Sequence, residues 1–326
     1  MLQILLLTFP FFALVLAGYV AARRSMLPLE AVAGLNSYVL YFALPCMLYR
    51  FGSTTPLAQL ADPAVLLVYL VCALTMVALA VAISRNARIG WNDAAFGALV
   101  AAFPNTGFMG VPLLLTLLGA RAAGPTIFTI VLDMTITSSL CIALSRLHDA
   151  GAAPGSGTSA RLALRNAIMG AAKNPLPWAI VLGAMASAFQ LKLPGPLAQT
   201  MGLLADSASP VALFTIGAVL ARSQILAARG KHPPMLLRDY VPIAFMKLLL
   251  HPVLVLLVGA LAIRLGLPLE RFSLKVLVLV AALPSASNVA LLAERFGADT
   301  GRIARIILLS TAAAFVTFSL AVTLLA

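Results

Sequence analysis

The stretch AAFPNTGFMGVPLL, residues 101–114, decides how this chain folds. Its flanks are apolar enough for a helix buried in hydrocarbon, yet Pro104, Asn105, Thr106, Gly107, Gly110 and Pro112 crowd its middle. Proline removes a backbone donor and clashes with the preceding turn, and glycine lowers the cost of non-helical dihedrals, so a helix opens here. A second stretch, LPSASNVALLAERFG at 283–297, sets Pro284, Ser285, Ser287 and Asn288 in the same kind of surroundings. In a bilayer an open backbone is tolerated only where it is buried in protein or lines a polar cavity, so both openings face inward. The plainer alternative is a pair of proline kinks, with Gly107 and Gly110 serving close helix packing. Two polar, proline-containing breaks at corresponding positions of two halves weigh against it.

The composition around these stretches fits a membrane. Hydrophobic residues make up 62% of 326 residues, charged residues 10%, and mean hydropathy is +1.04. A soluble domain carries about 25% charged residues to wet its surface, so this chain has no means of covering one. Cys46, Cys72 and Cys141 each lie in an apolar run, which excludes a disulfide scaffold. The formal charge of +12 comes from 22 basic residues scattered in short breaks between apolar stretches, a pattern for membrane lipids rather than nucleic acid. Ile4 to Ala22 lacks a preceding basic region and is followed by Arg23 and Arg24, so it reads as a span rather than a cleaved signal.

A hydrocarbon core about 30 Å thick needs roughly 20 apolar residues per helix. That ruler predicts an all-α membrane protein with ten spans, at 4–22, 31–51, 64–84, 94–118, 124–144, 175–190, 199–221, 239–263, 274–296 and 303–325. Lys and Arg on alternate sides divide fifteen against six, which puts both termini outside and 145–174 in the cytoplasm of a cell that holds this chain in its inner membrane. Gly151, Pro154, Gly155, Ser156 and Gly157 read as a flexible linker, and Arg161, Arg165 and Lys173 among Leu162, Leu164 and Ile168 as a helix lying on the leaflet. The linker divides the chain into a first five-helix repeat, 1–144, and a second, 175–326. Five spans per half make the second half run opposite to the first, a 5+5 inverted repeat with spans four and nine broken. Pro45 in FALPCML and Pro210 in SASPVAL echo one another in spans two and seven.

Two half-helices starting near Phe108 and near Asn288 would aim positive ends at one place, which suits a small anion such as a carboxylate. Asn105, Thr106, Gly107, Ser285, Ser287 and Asn288 are therefore the expected binding residues, with Pro104 and Pro284 as the breaking prolines. Asp133 falls near the centre of span five, Lys247 within span eight and His251 one turn deeper. A charge at mid-membrane costs at least about 2.5–3.5 kcal/mol, so each needs a partner or a task. A structural Asp133–Lys247 pair and a role in energy coupling both remain open, and His251 either titrates or bonds carbonyls freed by Pro252. Asp206 reads as a helix cap, Asn36 as glue between helices, Asn174 before Pro175 as a cap, and Arg50, Arg121 and Glu270 as solvated ends.

NTGFMGVP at 105–112, KNPLPWAIVLG at 173–183, KLLLHPVLVLL at 247–257 and LPSASNVALLAERFG at 283–297 together resemble the auxin efflux carrier family, which includes bacterial malonate or malate permeases. The resemblance runs over nearly the whole chain and lacks the long cytoplasmic loop of many plant members. It implies a scaffold from spans one, two, six and seven, and a transport domain from spans three to five and eight to ten whose broken helices cross at the substrate. It also implies a carrier of organic carboxylates, either a dicarboxylate or an auxin-like anion, working by alternating access, with a homodimer left open.

No G-x-x-x-x-G-K-[ST] phosphate loop is present, so a gradient of H+ or Na+ is the expected drive, and no cofactor or metal is expected. His148, His232 and His251 are far apart, and no glycine precedes Asp133 or Asp206, which speaks against an intramembrane enzyme. An anion channel or a non-transporting sensor stays open on composition alone.

Overall fold

The computed structural model describes residues 2–54, 62–86, 88–146, 175–229 and 236–325, and among them the regular structure is helical throughout. We number the helices α1 (Leu2–Arg23), α2 (Ala31–Thr54), α3 (Pro63–Ser84), α4 (Trp91–Ala102), α5 (Thr106–Leu118), α6 (Ala123–Ser145), α7 (Pro175–Ala188), α8 (Gly195–Arg229), α9 (Val241–Arg264), α10 (Arg271–Ala282), α11 (Asn288–Arg295) and α12 (Thr300–Leu325). Six of them, α2, α3, α6, α8, α9 and α12, are long and apolar enough to cross a bilayer, which makes this a multi-pass membrane protein. The linker expected at 145–174 and the Asn174 cap lie outside the described residues from 147 onward.

Local chemistry sets the helix ends. Asp62 caps α3, its Oδ1 accepting the N–H groups of Ala64 at 2.8 Å and Val65 at 3.3 Å, with Pro63 at the first helical position where its missing donor costs nothing. Pro210 does not interrupt α8, which runs unbroken from Gly195 to Arg229. Asp206 therefore lies well inside a helix rather than at its cap, where it pairs with Arg50 at 2.7 Å. That corrects the expected cap: the helix begins several residues earlier than apolarity alone indicates.

Packing repeats a pattern in the two halves. Helix α1 lies on α8 and α7 on α2, while α2 also meets α8. A Cβ on Gly18 would overlap the Phe214 carbonyl, and one on Gly217 the Val15 carbonyl, so α1 and α8 touch backbone to backbone. Gly183 serves α7 likewise against the Tyr49 carbonyl of α2. In the other group α3 packs on α4 and α9 on α10, with α3 against α9. Residues 94–102 of α4 and 276–282 of α10 are all buried, so these two short helices run through the centre of the molecule.

Arg302, at the start of α12, is 2% exposed. It donates from Nε to the Asp239 carbonyl at 2.7 Å, from one terminal nitrogen to the Asp93 carbonyl at 2.7 Å, and from the other to Ser84 Oγ at 3.1 Å. One side chain thereby ties the ends of α3, α4 and α12 to the turn before α9. Gly97 leaves it room, since a Cβ there would stand 2.7 Å from the guanidinium.

Candidate functional site

Helices α4 and α10 both stop short of the far side, at Ala102 and Ala282, and each gives way to extended backbone. The two extended pieces run antiparallel, with Pro104 opposite Ser285. Asn105 N–H donates to the Pro284 carbonyl at 2.8 Å, and Ala286 N–H donates to the Phe103 carbonyl at 3.0 Å. Ser285 N–H goes to Ser310 Oγ of α12 at 3.2 Å. Groups that the prolines release from helical bonding thus find partners in the opposite break, as a backbone without water requires.

The break near 104 lies slightly upstream of where its glycines suggest. Asn105, at φ −77° and ψ 54°, forms an inverse γ-turn, with Thr106 N–H returning to the Pro104 carbonyl at 2.8 Å. The second half-helix then starts at Thr106 with a π-turn, Thr106–Gly110, rather than near Phe108. Neither Gly107 nor Gly110 uses positive φ. Gly110 is needed for space instead, because a Cβ there would sit 2.6 Å from Leu283 Cδ1.

The two breaks bring together the polar residues that the sequence pointed to. Asn105, Thr106, Ser285 and Ser287 are buried, and Gly107 and Asn288 are half-buried. Asn105 Oδ1, Asn288 Oδ1 and Ser285 Oγ are buried atoms without a hydrogen-bond partner, as is Thr126 Oγ1 in the first turns of α6, which pack on the π-turn. Buried polar atoms are normally paired, so this unpaired group stands out from the rest of the interior. Met109 and Gly110 spend their N–H groups on the Asn105 carbonyl, and Val289 and Ala290 theirs on Ala286 and Ser287. The N–H groups of Gly107, Phe108 and Asn288 at the half-helix starts make no such bond, so they stand beside the side-chain NH2 groups of Asn105 and Asn288 as the donors at the breaks.

Beside the breaks is a narrow, closed-down crevice lined by Asn36, Phe108, Ala212, Thr215, Ile216, Val219 and Ser287. One wall is the breaks, and the other is α2 and α8. Asn36 is thus a cleft residue rather than glue between helices alone, and Thr215 was missed in the sequence because one hydroxyl in an apolar run carries no signal.

Asp133 and Lys247 are both fully buried and both sit in π-turns, Asp133–Thr137 and Met246–Leu250. They do not pair with each other: the ion pairs among the described residues are Arg50–Asp206, Arg88–Asp239 and Arg121–Glu270, so the direct pair entertained from sequence is corrected. Asp133 accepts from Tyr69 Oη at 2.7 Å and Thr137 Oγ1 at 2.9 Å. Lys247 Nζ donates to the Ala281 carbonyl at 2.7 Å and bonds His251 Nδ1 at 3.0 Å. Ala281 is in the last turn of α10, so the ammonium sits at the negative end of the half-helix that leads into the break. His251 does not itself reach a freed carbonyl; its Nε2 is buried without a partner, and its ring lies 6.3 Å from that of Tyr69. Sequence pattern gave no sign of Tyr69, one aromatic residue in an apolar helix.

These features define a class: a multi-pass helical membrane protein whose two central helices break and pair with each other beside a narrow crevice. Residues 4–322 match the family model described as membrane transport protein. The chain is 30% identical over 320 residues to a protein of Rhizobium meliloti (strain 1021) named "Putative malonate transporter", covering 95% of this chain and 92% of that one. It is 27% identical to the uncharacterized transporter YfdV of Escherichia coli (strain K12), over 89% and 88% of the two chains, and 24% identical to auxin efflux carrier component 8 of Arabidopsis thaliana, over 85% of each. The chain belongs to the membrane transport protein family, the family of the auxin efflux carriers.

Proposed function

We propose that the protein is a secondary transporter of a small dicarboxylate, working by alternating access. The observation that carries this reading is the pairing of the two breaks, which sets Asn105 and Asn288 at the centre of the molecule with side-chain amides not spent on the join. An amide donates two hydrogen bonds to a carboxylate without the cost of burying a second full charge. Asn36 on the opposite wall offers donors to a second carboxylate, and the relative named for malonate is consistent with a compact diacid. The chain in this reading has ten spans in a 5+5 inverted repeat, with both termini outside an inner membrane. The exchange-symmetric packing of α1 on α8 with α7 on α2, and of α3 on α4 with α9 on α10, supports it. Spans one, two, six and seven form the scaffold, and the remainder moves.

A dianion in a cleft without a cationic side chain is costly to carry through a membrane, and travelling with a proton halves its charge. H+ is therefore the favoured coupling ion over Na+, with Asp133 as its carrier and Lys247 and His251 beside the same half-helix. Counterflow in proteoliposomes with labelled malonate, malate and indole-3-acetate, with and without H+ and Na+ gradients, tests the reading. Saturable exchange of the diacids supports it, and flux that neither saturates nor exchanges overturns it in favour of a channel.

A further inference from the structure

The end of the molecule that Arg302 ties together carries an unusual concentration of arginine. Arg85 closes α3, Arg146 follows α6, Arg238 lies in the turn before α9, Arg295 closes α11 and Arg305 belongs to the first turns of α12. With Arg88 these make six cations around the buried Arg302; all but the half-buried Arg305 are exposed. Their grouping at one end follows from shared contacts. Arg88 pairs with Asp239 at 3.5 Å, Arg302 bonds the carbonyls of Asp239 and Asp93, and Asn92 Nδ2 bonds the Phe296 carbonyl at 3.1 Å.

The acids nearby are engaged with groups of the chain itself. Asp93 accepts the Asp299 N–H at 2.7 Å, Asp299 accepts the Arg302 N–H at 3.0 Å, and Asp239 faces Arg88. Glu294 offsets one further charge by sequence, which still leaves this end with a clear positive excess.

The arginines also rest on aromatic rings. Arg85 lies 4.4 Å from the centre of the Trp91 ring, Arg295 lies 6.0 Å from that of Phe296, and Arg305 lies 6.0 Å from that of Tyr240. An arginine stacked on a ring gives up its apolar face and keeps its edge donors for planar or tetrahedral oxyanions. Rings at the ends of membrane-length helices mark the headgroup level, where those oxyanions are lipid phosphates. Between α3 and the turn before α9, Ser84, Asn86, Arg238 and Arg302 line a small cavity of about 20 Å3, together with Asp239, whose carboxylate is paired with Arg88. Three of the five Arg302 N–H groups are spent on Asp239, Asp93 and Ser84, so each terminal nitrogen retains one donor.

We infer that this end is a docking surface for anionic phospholipid headgroups, with a phosphate seated at the mouth of the cavity against Arg238. All the residues named belong to α3–α6 and α9–α12 and the turns between them, none to α1, α2, α7 or α8. The lipid contact therefore rides on the group of helices that moves under the transport reading. The binding surface itself does not depend on that reading, and no step of its test uses transport.

The full-length protein in neutral detergent is titrated with phosphatidylglycerol or with phosphatidylcholine while its melting temperature and bound lipids are followed by fluorescence and native mass spectrometry. Phosphatidylglycerol is expected to raise the midpoint by about 4 °C or more and phosphatidylcholine to leave it nearly unchanged. Raising the salt to about 0.5 M should remove at least half of the effect, because the contact is ionic and largely exposed. The combined variant Arg85→Gln, Arg238→Gln, Arg295→Gln, Arg305→Gln should lose most of the shift. Should that variant not fold, Arg85→Gln and Arg295→Gln alone, both at exposed positions, should each weaken phosphatidylglycerol binding about two- to five-fold. Equal shifts from the two lipids, or full phosphatidylglycerol binding in the variants, would overturn the inference.

Discussion

The backbone N–H of Asn105 donates to the carbonyl of Pro284 at 2.8 Å, joining the two halves of the chain at the centre of the molecule. Both prolines that break the helices take part in this join, Pro284 as acceptor and Pro104 as the residue opposite Ser285. The join uses backbone only, so the side chains of Asn105 and Asn288 are left over for a ligand.

Replacing those side chains separates structure from binding. Asn105→Ala keeps the backbone bond and removes the amide, and so does Asn288→Ala at the start of α11. A hydrogen bond to a charged group is worth about 1.5–3 kcal/mol, so each variant should bind substrate roughly 10- to 150-fold more weakly at near-normal melting temperature. Unchanged affinity in both variants, measured by counterflow, places the site elsewhere.

Asn36 distinguishes a diacid from a monoacid. In the cleft it faces the breaks from α2, where the second carboxylate of a dicarboxylate would lie. Asn36→Ala should raise the half-saturating concentration of malonate about tenfold or more while leaving that of a monocarboxylate within about twofold. Equal losses for both would assign Asn36 to the general shape of the cleft.

Arg302 carries a prediction about stability. Substituting Leu leaves the Asp239 and Asp93 carbonyls and Ser84 Oγ without their donor at a site that is 2% exposed. Loss of a buried hydrogen-bonded charge costs about 3–5 kcal/mol, and Arg302→Lys should recover only part, because an ammonium does not reproduce the three directions of the fork. Thermal unfolding in detergent measures it; a Leu variant melting within about 2 °C of the parent would refute the clasp.

Much of the architecture is readable in advance, for reasons that particular residues make clear. Pro104 and Pro284 interrupt apolar runs, and hydrocarbon leaves an interrupted helix few options, so the breaks and their inward position can be deduced. The start at Thr106 could not be, because it depends on a γ-turn at Asn105 that only the opposite strand of backbone stabilises. Asp133 and Lys247 announce themselves as costly charges in apolar runs. Their true partners, Tyr69 and the Ala281 carbonyl, are set by tertiary packing and leave no mark on spacing. The burial of Arg302 is equally silent in the sequence, since an arginine just inside a helix start carries no sign of the neighbouring turns that close over it.

Asp133 is where the coupling proposal stands or falls. Its carboxylate holds two hydroxyl donors, Tyr69 and Thr137, and no basic partner at contact distance, while Lys247 is engaged with Ala281 and His251. The two charges act on each other only at a distance in this arrangement, so a shift of α3 or α6 that alters the Tyr69 contact changes how strongly Asp133 holds a proton without having to break a contact ion pair. Asp133→Asn keeps the shape and can still meet both hydroxyls, so binding and movement should survive. Uptake driven by a proton gradient should fall more than tenfold, and exchange without a gradient should stay within about threefold of the parent. Tyr69→Phe supplies the control: it removes one donor and leaves the acid, so driven uptake should persist with its pH dependence displaced. Equal loss of driven uptake and exchange in Asp133→Asn would make the residue structural, and driven uptake at the parent rate would remove it from coupling altogether.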